Sequence, residues 1–395
     1  MKRAAKIYTA LIFVFLFAPI AILLVFSFND AKSLSVFSGF SLKWYHELFR
    51  DAETLNALKN TLILAVIASI VSTVMGTAAA VGMNKLRNKY LRTALDTATD
   101  IPMMNPDIIT GISLMLMFVF FGRLLGATTS LGFWSMLAAH ITFCLPYVIM
   151  QVLPKLQQMD RALPEAAMDL GCTPVRAFFR VEVPEILPGI ITGMIMAFTL
   201  SLDDFVISYF TQGSGFQTLP IRIYNMTKKT VTPKMYALAT IIFFVILALL
   251  LLTNLVDEDD TQRIRDARRA KREGKPARPA RSGGSRRPVR AAVGILAAAA
   301  LLIAGISIYG SRQETRVLNV YNWGEYISDG SDDSLNTITA FEEWYKATYG
   351  VPVKVNYDTY ASNEDMYAKL KSGAVSYDVV IPSDYMIARM ESEDM

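Results

Sequence analysis

The feature that most constrains this chain is a series of apolar runs, each about the 20 residues that a helix needs to cross about 30 Å of hydrocarbon. Hydrophobic residues make up 53% of the sequence and its mean hydropathy is +0.34. The runs predict a mainly α-helical membrane protein, because a soluble domain has less apolar sequence and does not concentrate it in this way. They lie at Ile7–Phe28, Leu58–Met83, Ile108–Leu125, Phe133–Leu153, Ile186–Phe210, Tyr236–Val256 and Ala291–Tyr309.

The first run follows Met-Lys-Arg, as the core of a signal peptide would. Its apolar core is too long for one, and no small-x-small cleavage site follows before Phe28. We therefore expect it to be retained as a membrane span.

Lys and Arg predict which side of the membrane each loop faces, since they concentrate in short cytoplasmic loops. If every run crosses, four basic segments share one side: the N-terminus, the loop after the second run, 154–185 and 257–290. We therefore expect a cytoplasmic N-terminus and an outer location for residues after about 310. Segment 211–235 would be outside although it is also basic, which weakens this prediction without reversing it.

Composition divides the chain into four predicted regions. Residues 1–256 are expected to form a six-span membrane domain. Residues 257–290 are basic and poor in apolar side chains, and we expect a largely disordered cytoplasmic linker rather than a nucleic-acid-binding arm, because two spans tether the tract. Residues 291–309, rich in Ala and Gly, predict a seventh span that anchors the last region, with cleavage as an open alternative.

The last predicted region, 310–395, alternates between strand and helix patterns. Strands are predicted at 317–323, 351–357 and 377–382, and helices at Leu335–Thr348, at Ser362–Lys371 and from near Ser383. This order implies a parallel sheet, whose ligands bind beyond the carboxyl ends of the strands. We expect one lobe of an extracytoplasmic α/β binding domain, cut short before a second lobe.

Cysteine and histidine usage gives little support for metal, disulfide or cofactor chemistry. Cys144 falls inside an apolar run and Cys172 in a polar loop, so a disulfide is improbable. His46 and His140 are far apart in sequence, and no Cys/His cluster has metal-ligand spacing. We expect His140 to be a hydrogen-bonded packing residue and expect neither a metal nor a cofactor.

A polar loop between the fourth and fifth runs predicts a compact surface element. Pro164 and Glu165 suit the first turn of a short helix, and Gly171 suits a tight or left-handed turn. A second amphipathic segment follows, and we expect Pro184 to end it. Two short helices joined at a glycine and lying across the membrane surface would form a docking element for another protein.

This loop resembles the cytoplasmic loop of ABC importer permeases, E-A-A-x₃-G-x₉-hydrophobic-x-hydrophobic-P. The matching residues are Glu165, Ala166, Ala167, Gly171, Val181, Val183 and Pro184, with Val replacing the usual Ile and Leu. The resemblance implies that the loop inserts into a cleft of a separate ATP-binding cassette ATPase subunit. It also implies a second, homologous permease subunit and a multi-pass location in a bacterial inner membrane.

Further stretches resemble spermidine/putrescine permeases of the smaller-subunit type. They are N-P-D-I-I-T-G-I-S-L (105–114), S-L-D-D-F-V-I-S-Y-F (201–210) and L-P-I-R-I-Y-N-M (219–226). The last region resembles the start of a polyamine-binding protein through Y-N-W-G-E-Y (321–326) and Y-D-V-V-I-P-S-D-Y (377–385). These resemblances predict a polyamine permease, not an enzyme, fused to part of its solute-binding protein. The sequence holds no G-x-x-x-x-G-K-[ST] loop, so ATP hydrolysis is expected on another chain.

Two groups of residues are candidates for holding a polyamine, which needs carboxylates for its ammonium groups and aromatic faces for cation–π contacts. The resemblance implies ligand contacts from Trp323, Glu325, Tyr326, Ser383 and Tyr385. Asp203 and Asp204 interrupt an apolar run, where carboxylates are costly, and they are candidates for a cation path or for a helix end that holds a loop.

Three functions remain open from the sequence. The first is the permease subunit of a polyamine importer, and the second is the same machine with another small solute. The third is a membrane sensor whose outer lobe binds a ligand, which would need no ATPase partner.

Overall fold

The computed structural model describes residues 2–31, 37–126, 131–160, 162–227, 233–244, 247, 316–324, 326–328, 334–360, 362–373 and 375–393. The predicted linker 257–290, the predicted seventh span 291–309 and Glu325 lie outside the described residues.

Helices dominate the described part of residues 2–247, which we call the helical domain. Its helices are α1 (Lys2–Phe26), α2 (Lys43–Arg50), α3 (Ala52–Lys85), α4 (Lys89–Met104), α5 (Asp107–Leu124), α6 (Phe133–Gln158), α7 (Ala162–Asp169), α8 (Pro174–Ala177), α9 (Val183–Asp203), α10 (Val206–Thr211), α11 (Leu219–Thr227) and α12 (Pro233–Phe244).

Four helical stretches in the described part of the chain are long and apolar enough to cross a membrane. They are Glu53–Lys85, Asp107–Leu124, Phe133–Gln158 and Pro174–Asp203, and they correspond to the second to fifth predicted runs. Shorter apolar helices at Leu11–Phe26 and Pro233–Phe244 fall on the first and sixth runs.

The fifth run is not the single helix to Phe210 that its apolar sequence predicts. The backbone breaks after Asp203, and α10 starts at Val206. The Asp204 carboxylate accepts hydrogen bonds from the backbone N–H groups of Ile207 and Ser208 at 3.3 and 2.8 Å. A capping carboxylate compensates the free N–H groups of a new helix start, so it stabilises a break inside an apolar stretch.

The core of the helical domain lies where α3, α6 and α9 pack on one another. Small residues allow close approach: a Cβ on Gly76 of α3 would lie 2.7 Å from the Cγ1 of Val148. A Cβ on Gly189 of α9 would lie 2.8 Å from the backbone oxygen of Gln151 in α6. Packing of this kind suits helices in lipid, where close contact rather than apolar burial drives association.

The described residues of 316–393, which we call the lobe, form a three-stranded parallel sheet of order β2-β1-β3. The strands are β1 (Arg316–Trp323), β2 (Val353–Tyr360) and β3 (Val379–Val380). The helices are α13 (Thr337–Tyr349), α14 (Asn363–Lys371) and α15 (Asp384–Ser392).

The predicted alternation of strands and helices in the lobe is confirmed. Ser362 caps α14 as expected, since its side chain accepts from the backbone N–H of Asp365 at 3.1 Å. The third strand is much shorter than the predicted 377–382, because β3 pairs with β1 at two positions alone, Val320 with Val379 and Tyr321 with Val380.

Candidate functional site

The loop with the E-A-A motif folds into a projecting element, residues 162–182, which we call the knob. Its first arm is α7, and the N–H of Ala162 binds the Asp160 carboxylate at 3.0 Å. Gly171 ends this arm with φ of +88°. The N–H of Cys172 binds the carbonyl of Ala167, and that of Gly171 binds the carbonyl of Met168, which is the Schellman pattern that favours glycine at this position.

The second arm of the knob continues directly into a membrane helix. Thr173 caps α8, a π-helical turn follows at Phe178–Glu182, and α9 starts at Val183. The prediction that Pro184 ends this segment is therefore wrong. The N–H of Val183 bonds to Phe178, five residues back, and this widened turn gives the Pro184 ring room that a regular α-helix would deny it.

The knob exposes apolar side chains together with its motif residues. Glu165 and Ala166 are exposed, and Ala167 is half-buried. Leu170 is 88% exposed and Phe179 is 63% exposed, although both are large apolar side chains. Clustered exposed apolar surface beside polar residues is typical of a protein–protein contact site.

The carboxyl edge of the lobe sheet gathers several of the predicted ligand residues. Trp323 packs on Tyr360 with ring centroids 4.8 Å apart, so it is also part of the lobe core. Tyr326 is 67% exposed and Tyr385 is 54% exposed. Burial, with smaller contributions from the nearby phenols of Tyr357, Tyr326 and Tyr385, raises the pKa of Tyr360 to about 12.

Asn363 is a residue at this edge that the sequence did not assign to the site. It is buried, its amide donates to the Tyr385 hydroxyl at 2.8 Å, and its carbonyl oxygen accepts from the N–H of Ser383 at 3.3 Å. The Tyr385 hydroxyl in turn donates to the Glu364 carboxylate at 3.1 Å. The polar start of α14 was the sequence signal for Asn363, but it indicated a helix cap rather than a site residue.

Asp203 and Asp204 lie at the break between α9 and α10 in different surroundings. Asp203 is exposed, whereas Asp204 caps α10 and lies 3.5 Å from Nε2 of His140. The ring nitrogens of His140 also lie 2.8 Å from the Ser201 hydroxyl and 2.9 Å from that of Ser208. This confirms His140 as a buried, hydrogen-bonded packing residue. Asp203 is the more exposed of the two carboxylates.

The knob and the lobe lie at opposite ends of the helical domain. Helices α6 and α9 are antiparallel, because His140 meets Ser201 while Lys155 lies against Gly189. The knob joins the carboxyl end of α6 to the amino end of α9, close to Lys155. The lobe contacts the other end of the helical domain. The residues that it meets there, such as Arg123, Leu131 and Gly215, lie before α6 or after α10.

The lobe contacts the helical domain through the end of α14, through Val375 and through its sheet, where Asn356 of β2 lies against Gly215. The guanidinium of Arg123 donates to the carbonyls of Lys371 and Ser372, at the end of α14. Val375 packs in one apolar cluster with Val119 and Leu131. Trp323, Ser383 and Tyr385 lie at or after the carboxyl ends of the strands, and the described hydrogen bonds and ring contacts of these residues do not join them to Asp203.

A buried carboxylate lies at this lobe contact. Burial raises the pKa of Asp358, although Lys369, the Tyr377 hydroxyl and the backbone N–H of Gly215 act in the other direction. Tyr377 donates to Asp358 at 3.0 Å. Burial likewise lowers the pKa of Lys369 to about 8, with Asp358 opposing the shift. These groups satisfy one another, so their arrangement suits a structural role.

Within the described ranges, no group of three or more His, Cys, Asp and Glu side chains could hold a metal ion. The described side chains offer aromatic faces and carboxylates that can contact cations, and the knob offers an exposed surface that can contact a protein partner.

The arrangement of helices is that of a type I ABC importer permease. A bacterial ABC transporter involved in the import of the acidic polysaccharide alginate matches it with a TM-score of 0.52 at 18% sequence identity, over 66% of this chain and 94% of that chain. Residues 72–259 match the family described as binding-protein-dependent transport system inner membrane component.

Relatives with higher sequence identity are permeases of transport systems for putrescine or for spermidine and putrescine. The putrescine transport system permease protein PotI of Escherichia coli (strain K12) is 38% identical over 261 residues, 66% of this chain and 93% of that protein. The spermidine/putrescine transport system permease protein PotC of Haemophilus influenzae is 37% identical over 245 residues, 62% of this chain and 93% of that protein. The chain therefore belongs to the family of inner-membrane permeases of binding-protein-dependent ABC transporters.

Proposed function

We propose that this chain is the permease subunit of an ATP-driven importer for polyamines such as putrescine and spermidine. The observation that carries the proposal is the knob, an E-A-A loop with a glycine turn, exposed apolar side chains and a rigid connection to α9. The polyamine assignment is supported by the relatives at 37 and 38% identity, whose names specify putrescine or spermidine.

The knob is the contact site for an ATPase subunit in this proposal. Glu165, Ala166 and Ala167 supply its first arm, Gly171 its turn, and Pro184 the start of the membrane helix that it moves. A second, homologous permease subunit completes the pathway in the bacterial inner membrane, and the present chain contributes no catalysis. The N-terminus and the knob are cytoplasmic, and the lobe is extracytoplasmic.

The lobe is the first part of a polyamine-binding domain in the same proposal. Its sheet order and the aromatic side chains at its carboxyl edge support this assignment. Trp323, Tyr326 and Tyr385 offer ring faces to methylenes and ammonium groups, with Ser383 and the predicted Glu325 as polar partners. Asp203 and Asp204 belong to the path that the cation takes through the helical domain.

Crosslinking from the knob tests the docking role directly. In the assembled transporter, with Cys144 and Cys172 replaced by serine, a cysteine at Leu170 should crosslink to the ATPase subunit because the leucine side chain is highly exposed. A cysteine at Tyr90 is a matched control, since this side chain is 90% exposed on α4 outside the knob. Equal crosslinking from both positions, or none from Leu170, would contradict the proposal.

A further inference from the structure

The last residue of α3 is joined to the base of the knob. Nζ of Lys85 lies 3.4 Å from Oε1 of Glu182 and 5.5 Å from the centroid of the Phe178 ring. Both partners of Lys85 belong to the π-helical turn Phe178–Glu182. The position of Glu182 is the one that the loop motif leaves open between its two hydrophobic residues, so the motif does not account for it.

Burial makes this ion pair more than a surface contact. The Glu182 side chain is 9% exposed, whereas that of Lys85 is 59% exposed. A buried carboxylate that loses its cation is strongly destabilised, so Glu182 and Lys85 should stay together when the knob moves. π-Helical turns occur frequently at functional sites, and this one contains the carboxylate.

The opposite end of α3 is held by a second group of ions. Asp51 caps the helix by accepting from the N–H groups of Glu53 and Thr54, and it pairs with Lys234 of α12. Arg222 of α11 pairs with Glu53 at 2.6 Å and lies 3.9 Å from Asp51. Burial acts to raise the pKa of Asp51, but Lys234 and Arg222 outweigh it and hold that pKa below its usual value.

Uncharged hydrogen bonds strengthen the same connection about two to three turns further along α3. The Thr61 hydroxyl accepts from the N–H of Leu219 at 2.7 Å, and the Asn60 amide donates to the carbonyl of Gln217 at 3.0 Å. Both are part-buried or buried contacts. Together with Arg222 they join α3 to residues 217–222. This segment lies after α10 and includes the first turn of α11.

We propose that α3 is the connecting rod of the transporter, which carries movement of the knob through the Lys85–Glu182 pair to residues 217–222 at the other end of the helical domain. The helix has 34 residues, about 50 Å of continuous helix. Lys85, Glu182 and Arg222 are positioning residues for transport in this view. The inference rests on the proposed function, because it needs an ATPase that moves the knob.

Charge exchange tests the Lys85–Glu182 connection. In vesicles with the complete transporter, Lys85→Glu and Glu182→Lys should each lower the putrescine taken up per ATP hydrolysed by about fivefold or more, the usual range of coupling between sites. The double exchange should recover most of this ratio, and Lys85→Arg should keep it. Arg87→Glu, which changes a neighbouring charge, is the matched control. A merely structural pair would lower uptake and hydrolysis together and leave their ratio unchanged.

A distance measurement separates failure of the rod from failure of the proposed function. Spin labels on residue 217 and on residue 124, an exposed position at the end of α5, should change their separation when the ATPase subunit binds ATP, and Lys85→Glu should abolish the change. If wild type shows this change but imports no putrescine, the proposed substrate is wrong, and the proposed role of α3 in transmitting movement is retained. A constant separation in wild type, or an unaltered change in Lys85→Glu, would overturn the rod.

Discussion

At the residue scale, the turn of the knob depends on a single backbone angle. Gly171 has φ of +88°, and a Cβ there would meet no atom within 4 Å. The cost of replacing it is therefore conformational strain, about 1–2 kcal/mol for a residue with a Cβ, and no collision adds to it. The motif predicted a glycine turn here, and the structure adds the Schellman hydrogen bonds that require one.

Gly171→Val should abolish most uptake, because the strain changes the angle between the two arms of the knob. Gly171→Asn is the matched control, since asparagine tolerates left-handed geometry, and it should retain most activity. Uptake and the amount of chain in the membrane should be measured together. Normal uptake by Gly171→Val at normal abundance would contradict a docking role for this turn.

Two aromatic residues at the lobe edge should respond differently to truncation. Tyr326→Ala removes an exposed ring and should weaken putrescine binding by about 0.5–2 kcal/mol, without lowering lobe stability. Trp323→Ala should lower both the affinity for putrescine and the stability of the lobe, because its ring also packs on Tyr360. Tyr349→Ala, exposed on α13, is the control. Calorimetric titration of the full chain checks this, and unchanged affinity in Tyr326→Ala would remove it from the site.

At the element scale, the length of the apolar runs predicted the positions of the membrane helices well. The predicted helix ends were wrong where local backbone features, a capping carboxylate and a π-helical turn, set the boundary instead. The run at 133–153 became α6, and the run at 108–125 became α5 almost residue for residue. The break at Asp204 and the continuous helix through Pro184 depend on a capping carboxylate and a π-helical turn. Hydrophobic periodicity does not report either feature, and it also missed Asn363, whose role depends on Tyr385 from a distant element.

Two glycines of α9 should differ sharply in what they tolerate. Gly189→Ala places a Cβ 2.8 Å from the backbone oxygen of Gln151 and should destabilise the helical domain by about 1–3 kcal/mol. Gly193→Ala meets its nearest atoms at 3.4 Å and should be nearly neutral. The unfolding temperatures of the two variants in detergent test this comparison. Equal temperatures would contradict the described α6–α9 contact.

At the scale of the whole molecule, the lobe rests on the end of the helical domain opposite the knob. The sequence predicted the knob and the lobe on opposite sides of the membrane, but it could not predict the contacts that join the lobe to the helical domain, since Arg123 and its acceptor carbonyls are 248 and 249 residues apart. The sequence predicted the separate regions from composition. How they meet depends on three-dimensional contacts with no local signal, such as the fit of Asn356 against Gly215.

Arg123→Ala should loosen the lobe, because it removes the guanidinium that holds two carbonyls at the end of α14. Cysteines at Val119 and Val375, which share an apolar cluster, provide the measurement. Their crosslinking yield in membranes should fall in Arg123→Ala and stay unchanged in the control Arg92→Ala. A yield that Arg123→Ala leaves unaltered would show that this contact does not hold the lobe.

The most direct test of the whole account is uptake of labelled putrescine into vesicles that contain the full chain, its paired permease and its ATPase. We predict uptake that requires ATP and the ATPase subunit and that unlabelled spermidine inhibits. ATP-independent accumulation, or ATP-driven uptake of another solute that neither polyamine inhibits, would contradict the assignment.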